Sequence, residues 1–227
     1  MTDSQDQART QADRYVVIGN PVAHSRSPAI HAAFARQTGE AVQYERLLAP
    51  LDGFADTVLE GRRILLLGAG GAAMGAMLPL IECRPDRIIV ANRTAARASD
   101  MLEAFAEAGN QYNVELWGGG LDALDGLSED EACDVVINAS ASSLQGEVPP
   151  VPEFLLGPDV LAYDMMYGAR PTVFLAYAAQ CGARTSDGLG MLVEQAAEAF
   201  YNWRGVRPNT VPVLAELRAG LQAEAAR

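Results

Sequence analysis

The sequence predicts an α/β fold: a doubly wound parallel sheet preceded by a smaller α/β piece. Three observations carry that expectation. Short aliphatic runs alternate with helical segments from Ile64 onwards, the pattern of strands laid side by side through helical crossovers. One such run, Ile64-Leu65-Leu66-Leu67, passes straight into a glycine-rich turn and then an apolar helix. Upstream, the register changes abruptly at Leu59, where a strand–helix–strand run gives way to this pattern.

Met1 to Arg14 is polar and mixed in charge, without the apolar stretch of a secretion signal, and reads as a loose tail. Tyr15 to Ile18 is a short β-branched run ended by Gly19-Asn20-Pro21, a strand and its turn. Ser27-Pro28 has the form of an N-cap followed by proline at the first helical position, and Ile30, Ala33 and Phe34 follow at helical spacing up to Gly39. Val42 to Leu48 reads as a second strand, and Pro50 to Val58 begins like another helix. After Glu60-Gly61-Arg62-Arg63 comes the strand Ile64 to Leu67 and a helix running to about Cys83. Arg87 to Ala91 is the next strand and Thr94 to Ala108 the next helix. Asp134 to Asn138 and Val160 to Asp164 are further strands. Helices over Thr172 to Gln180, Leu192 to Trp203 and Val211 to Ala225 close the chain. The expected division is 1–58, then 59–190 as the domain of the glycine motif, and 191–227 as terminal helices.

Composition narrows the function classes. A chain of 227 residues, 49% apolar and 20% charged, suits an ordinary globular protein of one large or two small domains. Its apolar runs are too short to cross a bilayer, which makes the cytoplasm the expected compartment. A net charge of −12 argues against nucleic acid or an anionic membrane as the main partner. Cys83, Cys133 and Cys181 are scattered and read as reduced thiols. With only His24 and His31 to accompany them, no metal site is expected. All 17 basic residues are arginine, and there is no lysine. Arginine replaces lysine readily on a surface, but its guanidinium keeps its proton at any working pH, so it cannot take over proton transfer.

Gly68-Ala69-Gly70-Gly71-Ala72-Ala73 fits G-x-G-x-x-G/A between a strand and a helix, the context that turns a weak motif into a dinucleotide-binding fingerprint of the Rossmann type. Gly68 permits the tight turn, Gly70 lets backbone approach a pyrophosphate, Ala73 allows close helix–sheet packing, and the helix N-terminus offers N–H donors. A glycine turn used only for packing is the structural alternative. About twenty residues on, where an NAD site carries a carboxylate for the ribose 2′-hydroxyl, stand Asn92, Arg93, Thr94 and then Arg97. Two guanidiniums and a hydroxyl suit a 2′-phosphate, so NADP is the expected cofactor. The alternative here is a helix capped by Thr94 with solvated arginines.

The wider pattern resembles the shikimate dehydrogenase family. Four stretches carry the resemblance: Gly19-Asn20-Pro21-Val22-Ala23-His24-Ser25-Arg26-Ser27-Pro28, Gly68-Ala69-Gly70-Gly71-Ala72, Asn92-Arg93-Thr94-Ala95-Ala96-Arg97, and Asp187-Gly188-Leu189-Gly190-Met191-Leu192-Val193-Glu194-Gln195. Asn138-Ala139-Ser140 and Asp164-Met165-Met166-Tyr167 add weaker support. The resemblance implies reduction of 3-dehydroshikimate to shikimate with NADPH, by a substrate domain facing a Rossmann domain. It also implies that Ser25 and Ser27 bind the substrate carboxylate, with Tyr167 and Gln195 touching carboxylate or hydroxyls. Gly68, Ala69, Gly70, Gly71, Ala72, Asn92, Arg93, Thr94, Arg97 and Asn138 would hold the cofactor, with Met165 and Gly188 beside its nicotinamide. Each of these has a structural alternative: Ser27 as a plain cap, Gln195 as a solvated helix residue, Tyr167 and Met165 as core.

The chain departs from the family pattern in one place. Family members carry, after the second N-terminal helix, an Asn-Val-Thr-x-Pro-x-Lys motif and later an Asn-Thr-Asp-Gly motif; here Val58 is followed directly by Leu59-Glu60-Gly61. A segment on the order of 60–70 residues is missing, more than loop variation covers. By the resemblance that segment would hold the family's catalytic lysine and aspartate, so no catalytic residue is assigned here. The resemblance makes 1–58 a truncated N-terminal α/β substrate domain, 59–190 the NADP-binding Rossmann domain and 191–227 C-terminal helices returning to the N-terminal domain. The readings that follow are a shikimate dehydrogenase shortened internally and expected to be inactive or strongly impaired, or a non-catalytic NADP-binding relative. A third is a reductase with a relocated acid–base pair drawn from His24, His31 or Tyr167.

Overall fold

The computed structural model describes residues 13–17, 27–40, 42–46 and 59–226. Ser25, His24, the helix expected to begin at Pro50 and the Val58–Leu59 junction lie outside the described residues, and Ser27 is described in its backbone only. The chain divides into two compact units, Asp52–Leu189, and Met1–Leu51 together with Gly190–Arg227.

The larger unit is a six-stranded parallel sheet. Its strands are β3 (Arg63–Leu67), β4 (Arg87–Asn92), β5 (Glu115–Gly120), β6 (Val135–Asn138), β7 (Leu161–Asp164) and β8 (Arg184–Asp187). They lie in the order β5-β4-β3-β6-β7-β8, so the sheet starts in the middle, grows to one side and then reverses to the other. The central strands are aliphatic on both faces, as burial beneath two helical layers requires. Ile64, Leu65, Leu66 and Leu67 are all buried, and so are Ile88, Ile89, Val90 and Ala91. Helices α2 (Gly71–Glu82), α3 (Ala95–Tyr112), α4 (Ser142–Gln145) and α5 (Val173–Gln180) connect the strands. One core packs Leu65, Leu67, Ile89 and Val136 against Leu155, Leu156, Phe174 and Leu175.

Strands β5 and β8 were not expected from the sequence. Both are edge strands, where burial no longer dictates an aliphatic pattern. Strand β5 ends in Gly118-Gly119-Gly120, and β8 is Arg-Thr-Ser-Asp. Thr94 occupies the N-cap position of α3, but its side chain makes no capping bond; Asn92 instead braces the turn, its Nδ2 donating to the Thr94 carbonyl at 2.9 Å.

In the other unit, β1 (Asp13–Val17) and β2 (Val42–Arg46) pair in parallel with Tyr15 opposite Tyr44, and α1 (Ser27–Thr38) runs between them in sequence. Helices α6 (Leu189–Arg204) and α7 (Thr210–Ala225) complete it. Ile30, Ala33 and Phe34 of α1 share a core with Val193, Ala196, Ala197, Phe200 and Val213. Polar ties fix the same elements: Gln37 and Asn209 exchange hydrogen bonds of 2.8 and 3.3 Å, and Arg204 pairs with Glu40. The N-terminal helix, too small to bury its own apolar face, buries it against the last two helices of the chain.

Candidate cofactor site

The carboxyl ends of β3, β4 and β6 meet where the strand order reverses, the place at which open α/β sheets bind ligands. The strand ends are joined there by backbone bonds: Gly68 N–H to the Ala91 carbonyl at 2.8 Å, Ala139 N–H to Leu67 at 2.9 Å, and Met165 N–H to Asn138 at 3.0 Å. A cavity of about 410 Å³ opens above them. The glycine turn Gly68 to Gly71 lines one side, Asn92, Arg93 and Arg97 another, and Ser140, Ser142, Gln145 and the loop to Pro150 a third.

Each side of the cavity has a local cause. Gly68 has φ +109°, and a Cβ on it would stand 3.1 Å from the Ser140 nitrogen and 3.2 Å from the Ala139 carbonyl, so only glycine lets β3 turn this close to β6. Gly70 and Gly71 have open space where a Cβ would be. Gly70 caps α2 without any side-chain bond to the first turn, which leaves backbone N–H groups at a bare helix N-terminus beside the cavity. These features fit an anionic phosphate group. Arg93 and Arg97 are exposed at the rim, and no ion pair among the described residues engages them.

The cavity thus gathers Gly68, Ala69, Gly70, Gly71, Asn92, Arg93 and Arg97 from the expected set. Ala72 and Thr94 flank it in sequence without lining it. Asn138 is fully buried behind its wall, bonded to Ser140, Ser143 and Asp164. Met165 and Tyr167 are half-buried in the segment after β7, and Gly188 is buried after β8. Gln195 is half-buried on α6, in the other unit. Sequence reasoning missed Ser142, Gln145 and the loop Glu147-Val148-Pro149-Pro150. Ser140 had been noticed only as part of the family pattern; its lining role has a signal in the small polar residues directly after a buried strand.

His31 offers no relocated acid. It is buried on α1 with its ring 5.2 Å from Trp203 and 5.9–6.0 Å from Phe34 and Phe200, and burial pulls its pKa down to about 3. Among the described residues no group of acids, cysteines and histidines is arranged for a metal, and no helix is long and apolar enough to cross a membrane.

Strand order and glycine turn define an α/β protein of the Rossmann class. The comparisons carry the identification further. Residues 17–73 match the shikimate dehydrogenase substrate binding domain, residues 54–145 shikimate / quinate 5-dehydrogenase, and residues 188–218 the shikimate 5′-dehydrogenase C-terminal domain. Shikimate dehydrogenase (NADP(+)) of Cupriavidus necator is 64% identical, with 97% of this chain and 98% of that protein covered. The chain belongs to the shikimate dehydrogenase family. Among solved structures, an Ael1 enzyme from Pseudomonas putida superposes with a TM-score of 0.75 at 31% identity, covering 91% of this chain and 98% of its own. A shikimate dehydrogenase crystallised with NADP+ shares the fold at 23% identity and a TM-score of 0.72, covering 92% and 96%. The alignment with the Cupriavidus necator protein runs over 290 positions against the 227 residues here, so the relative carries residues with no counterpart in this chain.

Proposed function

We propose that this chain is an NADP-binding shikimate dehydrogenase whose proton-transfer machinery is missing, so that it binds cofactor but turns over poorly. The observation that carries the first half is the cavity itself: a bare helix N-terminus beside Gly70 and Gly71, with Arg93 and Arg97 on the rim. In that reading the α2 amides hold the pyrophosphate and the two guanidiniums hold the 2′-phosphate, where a carboxylate would repel it. The name of the Cupriavidus necator relative, with its NADP(+), supports the same choice. Met165 and Gly188 would lie on the nicotinamide side, where bound NADPH would supply the hydride. By the family resemblance Ser25, Ser27, Tyr167 and Gln195 would bind the substrate, taken as 3-dehydroshikimate or shikimate.

The second half rests on the missing lysine. Reducing a ketone leaves an oxygen that must gain a proton, and a positioned acid contributes roughly 10²–10⁴ in rate. The chain has no lysine at all, and its length deficit falls, in this reading, after Val58, inside residues 54–73 where two domain matches overlap. The deficit removes the lysine and its aspartate partner together. Positioning adds to the loss wherever the shortening disturbs the substrate side, since an error of about 1 Å costs on the order of a hundredfold.

Two measurements on the purified chain test the two halves separately. NADP should bind more tightly than NAD, each bond from Arg93 or Arg97 contributing about 1.5–3 kcal/mol, and the variant with both Arg93→Ala and Arg97→Ala should lose the difference. Equal affinities in the parent would remove the phosphate clamp. Oxidation of shikimate with NADP, followed by NADPH absorbance, should be about a thousandfold or more slower than in a full-length relative. Comparable turnover would show that the acid–base chemistry lies elsewhere in the chain. If NADP binding persists without turnover of any related polyol, the non-catalytic relative is the better description.

A further inference from the structure

Asp164, at the end of β7, is fully buried, and its two oxygens accept four hydrogen bonds. Oδ2 receives Asn138 Nδ2 at 3.2 Å, Ser143 Oγ at 2.6 Å and Thr172 Oγ1 at 2.6 Å. Oδ1 receives the Met166 N–H at 3.0 Å. Asn138 is the residue beside it in the parallel register of β6 and β7, and it too is fully buried. With its amide nitrogen committed to Asp164 and Ser143, the Asn138 oxygen faces Ser140, accepting from its N–H at 3.1 Å and its Oγ at 2.6 Å. Ser140 Oγ in turn meets Ser142 Oγ at 2.8 Å, and both serines line the cavity.

We infer that Asp164 is a positioning residue for the cofactor cavity, holding the Ser140–Ser142 wall in place through Asn138. The claim rests on the reading that this cavity takes NADP. An acceptor-only group at position 164 forces every neighbouring polar group to donate towards it, and that sets which way the Asn138 amide points. The same carboxylate holds the opposite side. Met166, bonded to Oδ1, accepts the Gly188 N–H at 3.1 Å, and Gly188 sits so close that a Cβ would lie 2.1 Å from the Met165 carbonyl oxygen. Thr172, bonded to Oδ2, also caps α5 by accepting the Leu175 N–H at 3.3 Å. One side chain thus couples the wall near the glycine turn to the segment proposed to face the nicotinamide. An asparagine in its place brings two N–H donors into a ring of donors, and a half-satisfied buried network loses its preferred arrangement.

The test uses the full chain and three variants: Asp164→Asn, Ser143→Ala, and the exchange Asn138→Asp with Asp164→Asn, which restores an amide–carboxylate pair across the two strands. NADP affinity is titrated at a temperature where far-ultraviolet circular dichroism shows each variant folded, and amide hydrogen exchange is followed at Ser140 and Met166. Asp164→Asn should weaken NADP about tenfold or more, the scale of one lost hydrogen bond to a charged group. Ser143→Ala, which is outside the cavity lining, should weaken it about threefold, and the exchange should recover most of the loss. Ser140 and Met166 should exchange faster in Asp164→Asn while Ile64 and Leu66 stay protected. A folded Asp164→Asn that binds NADP within about twofold of the parent overturns the inference, as does an exchange variant that recovers nothing. If Asp164→Asn does not fold, Ser143→Ala decides, and unchanged affinity there counts against the inference. Should the parent itself bind no NADP, the functional reading fails on its own account. The hydrogen-exchange data then decide the positioning role of Asp164, and unaltered protection at Ser140 in Asp164→Asn refutes it.

Discussion

Alanine at position 68 and alanine at position 70 should damage the site in opposite ways. At Gly68 the backbone stands at φ +109°, a region that side chains rarely adopt, and the new methyl would press on the Ser140 nitrogen and the Ala139 carbonyl at 3.1–3.2 Å. Those are backbone atoms, pinned by the Ala139 N–H bond to Leu67, so they cannot swing aside as the tip of a side chain would. Strain of about 1–3 kcal/mol for the dihedral, with crowding added, gives a loss of about 2–4 kcal/mol. At roughly 2–4 °C per kcal/mol for a chain of this size, the melting point should fall by about 5–15 °C. At Gly70 the backbone is ordinary, φ −94° and ψ −172°, and nothing lies within 4 Å of the added methyl. Stability should stay within about 0.5 kcal/mol of the parent. The methyl nevertheless occupies the approach of a pyrophosphate to the α2 amides, so NADP affinity should fall about tenfold or more. Thermal melts and NADPH fluorescence titrations of the two variants separate the effects. Undiminished binding by Gly70→Ala would mean that no phosphate comes near this backbone. A Gly68→Ala melting point within about 2 °C of the parent would show that the β3–β6 approach is not constraining.

Other consequences concern groups away from the cavity. Burial holds His31 neutral with a pKa of about 3, whereas in the unfolded chain it protonates near 6.5, so the unfolded state binds the extra proton between those values. Stability should therefore fall as pH drops below 6.5, by up to about 1.4 kcal/mol per unit. Urea midpoints at pH 6.5 and 5 should show this in the parent and not in His31→Phe; an equal slope in both would assign the effect to carboxylates. Burial also pushes the Cys133 thiol up to about 11, so at pH 8 only about one in a thousand is thiolate. A thiol reagent should label the half-buried Cys181 first and reach Cys133 only on unfolding, and early modification of Cys133 would contradict that burial.

The parts of the fold legible in the sequence are those where burial dictates the residue types. Ile64 to Leu67 and Val135 to Ile137 could only be interior strands, and the glycine turn announced both its position and its neighbours. The edge strands escaped notice because β5 trades aliphatic residues for glycines and β8 faces outward on polar ones. The rim of the cavity was legible through Arg93 and Arg97. The wall was less so, because the part played by Ser140 and Ser142 depends on bonds to Asn138 and Asp164 across two strands, and nothing in the local spelling of either stretch records that pairing.

The distribution of these residues also confines the cofactor cavity to one part of the chain. The cavity-lining residues from Leu67 to Pro150 belong to a single compact unit, and so does the Asp164 network behind them. Their geometry is set by sheet register and by bonds between adjacent strand ends, and among the described residues none of these bonds involves a residue before Asp52. Ser27 and Gln195, by contrast, fall in the other unit. There the described core is a few residues of α1 against α6 and α7, and the sheet has only two described strands. A reacting centre needs each of its groups placed to within a fraction of an ångström. A binding cradle built from one unit needs only that unit to fold. The affinity of this cavity for a dinucleotide therefore depends on the folding of the Asp52–Leu189 unit, whose sheet runs through six described strands.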